Sequence, residues 1–288
     1  MRHWHSVPNS TNLTNTNSVM SVQLTATLAI ACYLTAFGLQ VRASLQPSGS
    51  TASIAKGSIL WLSGLALAAH FATSWQQIFT DSGTSFSLLP LSVAIFMVIN
   101  FMVVAGSLRR PFHSLFLLLF PFSALALALS LLPLWQSPPR NNLSVGLSLH
   151  ILLSIIAYSL LSIAALEALF LAYQNRQLHQ HHSSPLMRIL PPLQTMESLL
   201  FSLVITGFTL LTLALVSGLL FVDNFFAQHL VHKTIFSIVA WLVYGILLWG
   251  HFRWGWRGKT ATLWTLGGFT LLMLAFWGTK FVLEVILA

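Results

Sequence analysis

The stretch ESLLFSLVITGFTLLTLALVSGLLF, residues 197–221, decides the fold class of this chain. After Glu197 the stretch contains no charged side chain. A helix over residues 198–221 is about 36 Å long, which exceeds the ~30 Å hydrocarbon core of a bilayer. The stretch therefore predicts a membrane-spanning helix.

Apolar stretches of similar length recur along the chain. Each is long enough to cross a bilayer. Their predicted bounds are 20–40, 57–79, 86–106, 112–134, 145–173, 198–222, 233–252 and 262–286. We therefore expect an all-α polytopic membrane protein, a bundle of about eight transmembrane helices, with one domain over residues 20–288. Residues 1–19 are polar and are expected to form a disordered N-terminal tail.

The composition supports this class and excludes others. Of 288 residues, 56% are hydrophobic and 6% are charged, against roughly 25% charged in soluble domains. Five carboxylates are too few for a carboxylate-relay pump or a multi-acid cation site. A single cysteine, Cys32, excludes an intrachain disulfide and a zinc finger. In so apolar a chain, the net charge of +8 indicates basic loops at a membrane, and no nucleic-acid partner is expected.

The lysines and arginines predict the orientation of the chain. Alternate loops carry nine of the thirteen basic residues, namely Arg42, Lys56, Arg109, Arg110, Arg176, Arg188, Arg253, Arg257 and Lys259. The other side has Arg2, Arg140, Lys233 and Lys280. By the positive-inside rule, the first side faces the cytoplasm and both termini face outward. We call the end of the bundle with Arg109, Arg110 and the cluster from Arg253 to Lys259 the basic end.

Histidine is the residue type that offers chemistry in this chain. His70 lies deep in the second span, where lipid offers an imidazole no partner, so its ring is expected to face the bundle interior. Two roles stay open: a core histidine that hydrogen-bonds another helix, or a metal ligand. His251 ends the seventh span beside several tryptophans, which is also typical of an ordinary headgroup-level residue. Two imidazoles on different helices are nevertheless a natural axial pair for a b-type haem.

Further histidines are candidates for a site on the outer face. His150 begins the fifth span at its outer end, and His229 and His232 lie in the short loop before the seventh span. Ordinary loop polarity is the alternative explanation for all three.

Two other polar features have simple explanations. The histidines of the loop QLHQHHSSP, residues 177–185, have no acidic or thiol partner nearby and are expected to be solvated. Glu167 lies inside the fifth span near its cytoplasmic end. It is expected to snorkel to the surface or to pair with a neighbour such as Arg176.

Three segments carry a resemblance to a known family. They are SLHILLSIIAYSLLSIAALEALFLAY (148–173), the stretch 197–221 quoted above, and KTIFSIVAWLVYGILLWGHFRWGWRGKTATLWTLGGFTLLMLAFWGTKF (233–281). In the last segment a helix ends with a histidine, which a basic Gly-Trp-Arg-Gly turn follows. These segments resemble the cytochrome c assembly family of haem-handling membrane proteins (the CcsA and CcmC type), and the resemblance extends over roughly residues 20–288.

The resemblance implies ligands for a haem b. His70 and His251 match the two transmembrane histidines of the family and would hold the haem iron, and His150 matches its first outer-face histidine. The chain departs from the family in the outer loop between spans six and seven, where the family has a tryptophan-rich haem platform. Here the loop is DNFFAQHLVHK, and its flat side chains are Phe225 and Phe226.

A second departure lies at the end of the chain. The second outer histidine of the family follows the last helix, where this chain has EVILA. His229 or His232 would have to substitute for it.

The resemblance implies a protein of the inner membrane that holds or moves haem and is not an enzyme. Its expected partners are lipid, haem and other membrane proteins, such as those of cytochrome c maturation. A regulatory or scaffold subunit that has lost haem transfer is the alternative, and the missing tryptophan platform favours it. A third hypothesis is a small-molecule or ion transporter. The scarcity of buried charge and the absence of an internal repeat argue against it.

Overall fold

Eight helical segments in the described part of the chain are long and apolar enough to cross a membrane. The structure is a computed structural model, and it describes residues 10–45, 51–80, 83–132, 143–180, 187, 190–221 and 231–281. The helices are α1 (Ser10–Leu45), α2 (Thr51–Ile78), α3 (Leu88–Ser107), α4 (Phe116–Ser130), α5 (Val145–His179), α6 (Leu193–Phe221), α7 (Val231–Trp254), α8 (Lys259–Met273) and the short α9 (Thr279–Phe281). The predicted all-α membrane fold is confirmed.

Short elements connect these helices. An antiparallel hairpin of β1 (Phe79–Thr80) and β2 (Gly83–Thr84) joins α2 to α3. A 3-10 turn, Phe112–Leu115, precedes α4, and a π-helical turn, Leu274–Gly278, lies between α8 and α9.

The helices extend beyond several of the predicted spans. Helix α5 continues to His179 and α6 begins at Leu193, because helical hydrogen bonding persists past the point where the apolar pattern ends. Helix α1 begins at Ser10, within the polar stretch 1–19, and the disorder expected for that stretch stays a prediction. Residues 1–9 of the expected tail lie outside the described residues.

The helices pack in two groups of four. Helices α1 to α4 contact one another, with α1 against α2 and α4, and α3 against α2 and α4. Helices α5 to α8 form the second group, in which α5 contacts α6 and α8, and α7 contacts the same two helices. The contact of α3 with α5 is the main connection between the groups.

Each group has a core that small residues help to close. Tyr33 and Phe120 pack against each other in the first group, with ring centroids 5.3 Å apart. In the second group a Cβ atom on Gly207 would lie 2.7 Å from the side chain of Leu161, so α5 and α6 approach closely at this glycine. Such small-residue contacts are typical of helices packed in a membrane.

Candidate functional site

His251 lies in the last turn of α7, at the basic end, and the chain folds back over it. Gly255 has a φ of +69°, and its N–H donates to the carbonyl of His251 over 3.0 Å, which ends the helix with a left-handed cap. The N–H of Trp256 donates to the carbonyl of Gly250 over 3.2 Å. This turn brings the carbonyl of Trp256 to 2.9 Å from Nδ1 of His251.

The carbonyl of Trp256 determines which ring nitrogen of His251 carries the proton. A carbonyl oxygen only accepts, so Nδ1 donates and Nε2 keeps its lone pair. No described residue forms a hydrogen bond with that Nε2 atom. Metal-binding histidines show this arrangement, in which one ring nitrogen donates to a carbonyl and the other binds the metal.

Packing fixes the plane of the His251 ring. The ring stacks on Phe201 of α6, with centroids 3.5 Å apart and planes 20° apart. Trp256 covers Gly250, where a Cβ atom would lie 2.3 Å from the indole ring. The site therefore offers an oriented, half-buried imidazole between flat apolar walls.

The turn after α7 is tied to α6 by a carboxylate. Oε1 of Glu197 accepts a hydrogen bond from the N–H of Gly258 over 2.8 Å, and Oε2 lies 3.5 Å from the guanidinium of Arg257. Gly258 has a φ of +56°, a conformation that residues with a Cβ atom rarely adopt. The contacts of Glu197 hold the turn, and with it the carbonyl that orients His251.

His150 repeats the same arrangement at the other end of the bundle. It lies in the second turn of α5, and its Nδ1 is 2.9 Å from the carbonyl of Ala214 in α6. The hydroxyl of Ser217 lies 3.3 Å from the same nitrogen. Nδ1 therefore donates, and no described residue bonds Nε2. The half-buried imidazole is again oriented with a lone pair available.

His70 has a different environment, because both of its ring nitrogens form hydrogen bonds. Its side chain is fully buried, with Nε2 3.0 Å from the carbonyl of Val93 in α3 and Nδ1 3.1 Å from the hydroxyl of Tyr33 in α1. Nε2 must donate to the carbonyl, so Nδ1 accepts from the tyrosine. This histidine joins three helices, and it has a lone pair for a metal only if a hydrogen bond breaks.

The structure does not bring the predicted ligands together. The contacts of His251 and His150 on α6, at Phe201 and Ala214, are 13 residues apart, or about 20 Å along the helix. His70 contacts α1 and α3 of the first helix group, whereas His251 contacts α6 of the second. Haem between His70 and His251 therefore remains a prediction that the observed contacts do not favour.

The structure describes only some of the remaining predicted residues. His232 is exposed in the first turn of α7. His229, Phe225 and Phe226 lie outside the described residues. His179 is exposed at the end of α5, as the sequence predicts. No group of three or more histidine, cysteine or acidic side chains in the described part of the chain is placed to hold a metal ion.

The prediction for Glu167 was wrong. Its side chain does not snorkel to the surface, because only 1% of the residue is exposed, and neither carboxylate oxygen has a hydrogen-bond partner among the described residues. The expected pair with Arg176 is absent from the described contacts. The reason is the direction of the helix face: Glu167 lies on the side of α5 that turns inward with Ala164, Ala168 and Leu171.

Sequence reasoning also missed the partners of the histidines. Tyr33 and the carbonyls of Val93 and Ala214 lie on other helices, so no local pattern reveals them. The carbonyl of Trp256 had a local signal, because Gly255 directly after an apolar helix predicts a left-handed cap that folds the chain back.

Comparisons with known proteins agree with the fold. The model of the family described as cytochrome C assembly protein matches residues 58–287. The chain is 33% identical over 264 residues to the inner membrane protein YpjD of Escherichia coli K12, a match that covers 91% of this chain and 98% of that protein. The YpjD of Escherichia coli O157:H7 matches equally.

A relative from another organism matches half of the chain. It is an uncharacterized 28.8 kDa protein of Azospirillum brasilense, 35% identical over 145 residues, which covers 50% of this chain and 54% of that protein. No solved structure matches. The family model covers most of the chain and the YpjD proteins match nearly all of it. The chain therefore belongs to the cytochrome c assembly family of membrane proteins.

Proposed function

We propose that this protein binds haem in the inner membrane and holds it for transfer or assembly, with imidazole side chains as axial ligands. The observation that carries the proposal is the orientation of His251. Its Nδ1 donates to the carbonyl of Trp256, and its Nε2 has no described partner. The family to which the chain belongs supports haem as the ligand, and the location follows the name of the YpjD relative.

The proposed ligands are the two histidines whose Nε2 has a lone pair. His251 would hold haem iron at the basic end, where the Phe201 ring limits the rotation of the imidazole. His150 would hold haem at the opposite end, with its ring fixed by Ala214 and Ser217. Haem supplies a redox-active iron when bound, and the helices supply orientation and an apolar environment.

His70 fits haem iron less well than the other two. It would have to release either Tyr33 or the carbonyl of Val93, and a released Tyr33 hydroxyl would be left buried without this partner. We propose that His70 fixes the positions of α1, α2 and α3 and that the predicted axial pair of His70 with His251 does not form in this conformation.

A haemin titration of the purified protein tests the proposal. The wild-type chain should give a Soret shift that saturates. The double variant His150→Ala with His251→Ala should give none, because both available imidazoles are gone. His179→Ala is the matched control, since its histidine is exposed at the end of α5, and it should behave as wild type.

One observation favours a second candidate function. The loop 223–233 contains no tryptophan, whereas the family has a tryptophan-rich haem platform at this place. A regulatory or scaffold subunit of the same fold would need no platform. Wild-type protein that is colourless as isolated and shows no Soret shift with haemin would favour this function over haem binding.

A further inference from the structure

A groove runs along one side of α6 at the basic end. Its deeper part has a volume of about 580 Å³ between α3, α5 and α6. The deeper walls are mainly apolar and comprise Met102, Ala105, Leu160, Ile163, Leu203 and Thr206. This volume falls in the range of sites that hold small ligands.

The mouth of the groove is polar and basic. A second space of about 540 Å³ continues from the first and is lined by Pro111, Gln194, Thr195 and Ser198. The two spaces share Arg109, Arg110 and Ser202, so they form one groove. From Gln194 to Thr206 it follows α6 for 12 residues, or about 18 Å.

The charge at the mouth is positive and has no described counterion. Arg109 and Arg110 are exposed, and neither forms an ion pair in the described part of the chain. Glu197, the acidic residue beside Ser198 in sequence, is engaged with Gly258 and Arg257 of the turn after α7. The N-terminus of α6 lies at the same mouth and adds the positive end of its helix dipole.

We propose that this groove binds one anionic phospholipid. The headgroup phosphate would lie at Arg109 and Arg110, and an acyl chain would extend past Ser202 between α3 and α6. The shape of the groove supports this choice, because one end is cationic and the other end is apolar and lies among α3, α5 and α6, which are long and apolar enough to cross a membrane. No histidine is among the described residues that line it, so haem would find no imidazole ligand there. The proposal does not depend on haem binding.

Native mass spectrometry of the full chain in detergent tests the proposal. Phosphatidylglycerol should bind as one retained molecule per chain, and phosphatidylcholine should bind much more weakly. For the double variant Arg109→Gln with Arg110→Gln, the dissociation constant for phosphatidylglycerol should rise about thirty-fold, since each basic residue near a membrane surface attracts anionic lipid. Glycerol phosphate, which has the headgroup charge without acyl chains, should not be retained.

Two further variants separate this groove from general attraction to a basic surface. Arg253→Gln with Lys259→Gln removes the same charge at the same end but outside the groove, and should leave retention unchanged. Ser202→Phe fills the junction of the two spaces without changing charge, and should weaken retention. Equal binding of both lipids, or an equal loss in the Arg253 and Lys259 variant, would overturn the proposal.

Discussion

Two hydrogen bonds hold His70 inside the first helix group. The hydroxyl of Tyr33 and the carbonyl of Val93 lie on different helices, and both are buried with the imidazole. The sequence predicts that this ring faces the bundle interior, because lipid offers it no partner. The sequence leaves open whether His70 is a core residue or a ligand, and its hydrogen-bond partners could not be predicted because they are 37 and 23 positions away.

Variants of His70 should follow this structural role. His70→Ala removes the hydrogen-bond partner of the buried Tyr33 hydroxyl and one of the donors to the Val93 carbonyl, and it opens a cavity. It should therefore cost about 2–4 kcal/mol in the free energy of unfolding. His70→Gln can donate to Val93 and accept from Tyr33, and should recover most of that loss. Thermal unfolding in detergent measures both. Equal destabilisation by alanine and glutamine would contradict the structural role.

The turn between α7 and α8 is the element that prepares the His251 site. Its glycines predict a helix end and a tight turn, and the structure shows left-handed backbone at Gly255 and Gly258. The tie to α6 was not predictable, because Glu197 lies about sixty residues before the groups that it holds. The half-buried N–H of Gly258 needs an acceptor and pairs with this carboxylate, and no local sequence pattern shows which acceptor it will find.

Substitutions at this turn should separate its hydrogen bond from its ion pair. Glu197→Ala removes the acceptor of the Gly258 N–H and should destabilise the protein by about 1–2 kcal/mol. Arg257→Gln should cost less than about 1 kcal/mol, because the arginine is 70% exposed and exposed ion pairs contribute little. Thermal unfolding of the two single variants checks the order. A larger loss for Arg257→Gln would show that the ion pair holds the turn.

The whole molecule is two helix groups joined through α3 and α5. Hydropathy predicts the eight spans because each must satisfy its backbone within the bilayer, and the spans in the structure agree with it. Hydropathy says little about which helices pack together, since lipid-facing and buried surfaces are both apolar. His70 contacts helices of the first group and His251 contacts α6 of the second. This assignment follows from the packing of the helices, so it could not be predicted from the sequence.

The orientation of the bundle is a prediction at this scale. Reporter fusions after residues 110, 183 and 258 should all report the cytoplasm, because the loops that contain them carry most of the basic residues. A fusion after residue 140 should report the outer side. An outward signal at two of these three positions would place the basic end on the outer side of the membrane and contradict the predicted topology.

We propose that the Nε2 atom of His251, and not the imidazole of His70, binds haem iron at the basic end. This proposal is tested most directly by the Soret band of haemin-loaded protein in a His150→Ala background, where one proposed ligand remains. This background should keep the band and should keep it when His70→Gln is added. Adding His251→Ala instead should abolish the band, and free imidazole should partly restore it by filling the vacated position. A band that survives His251→Ala and disappears with His70→Gln would contradict the account.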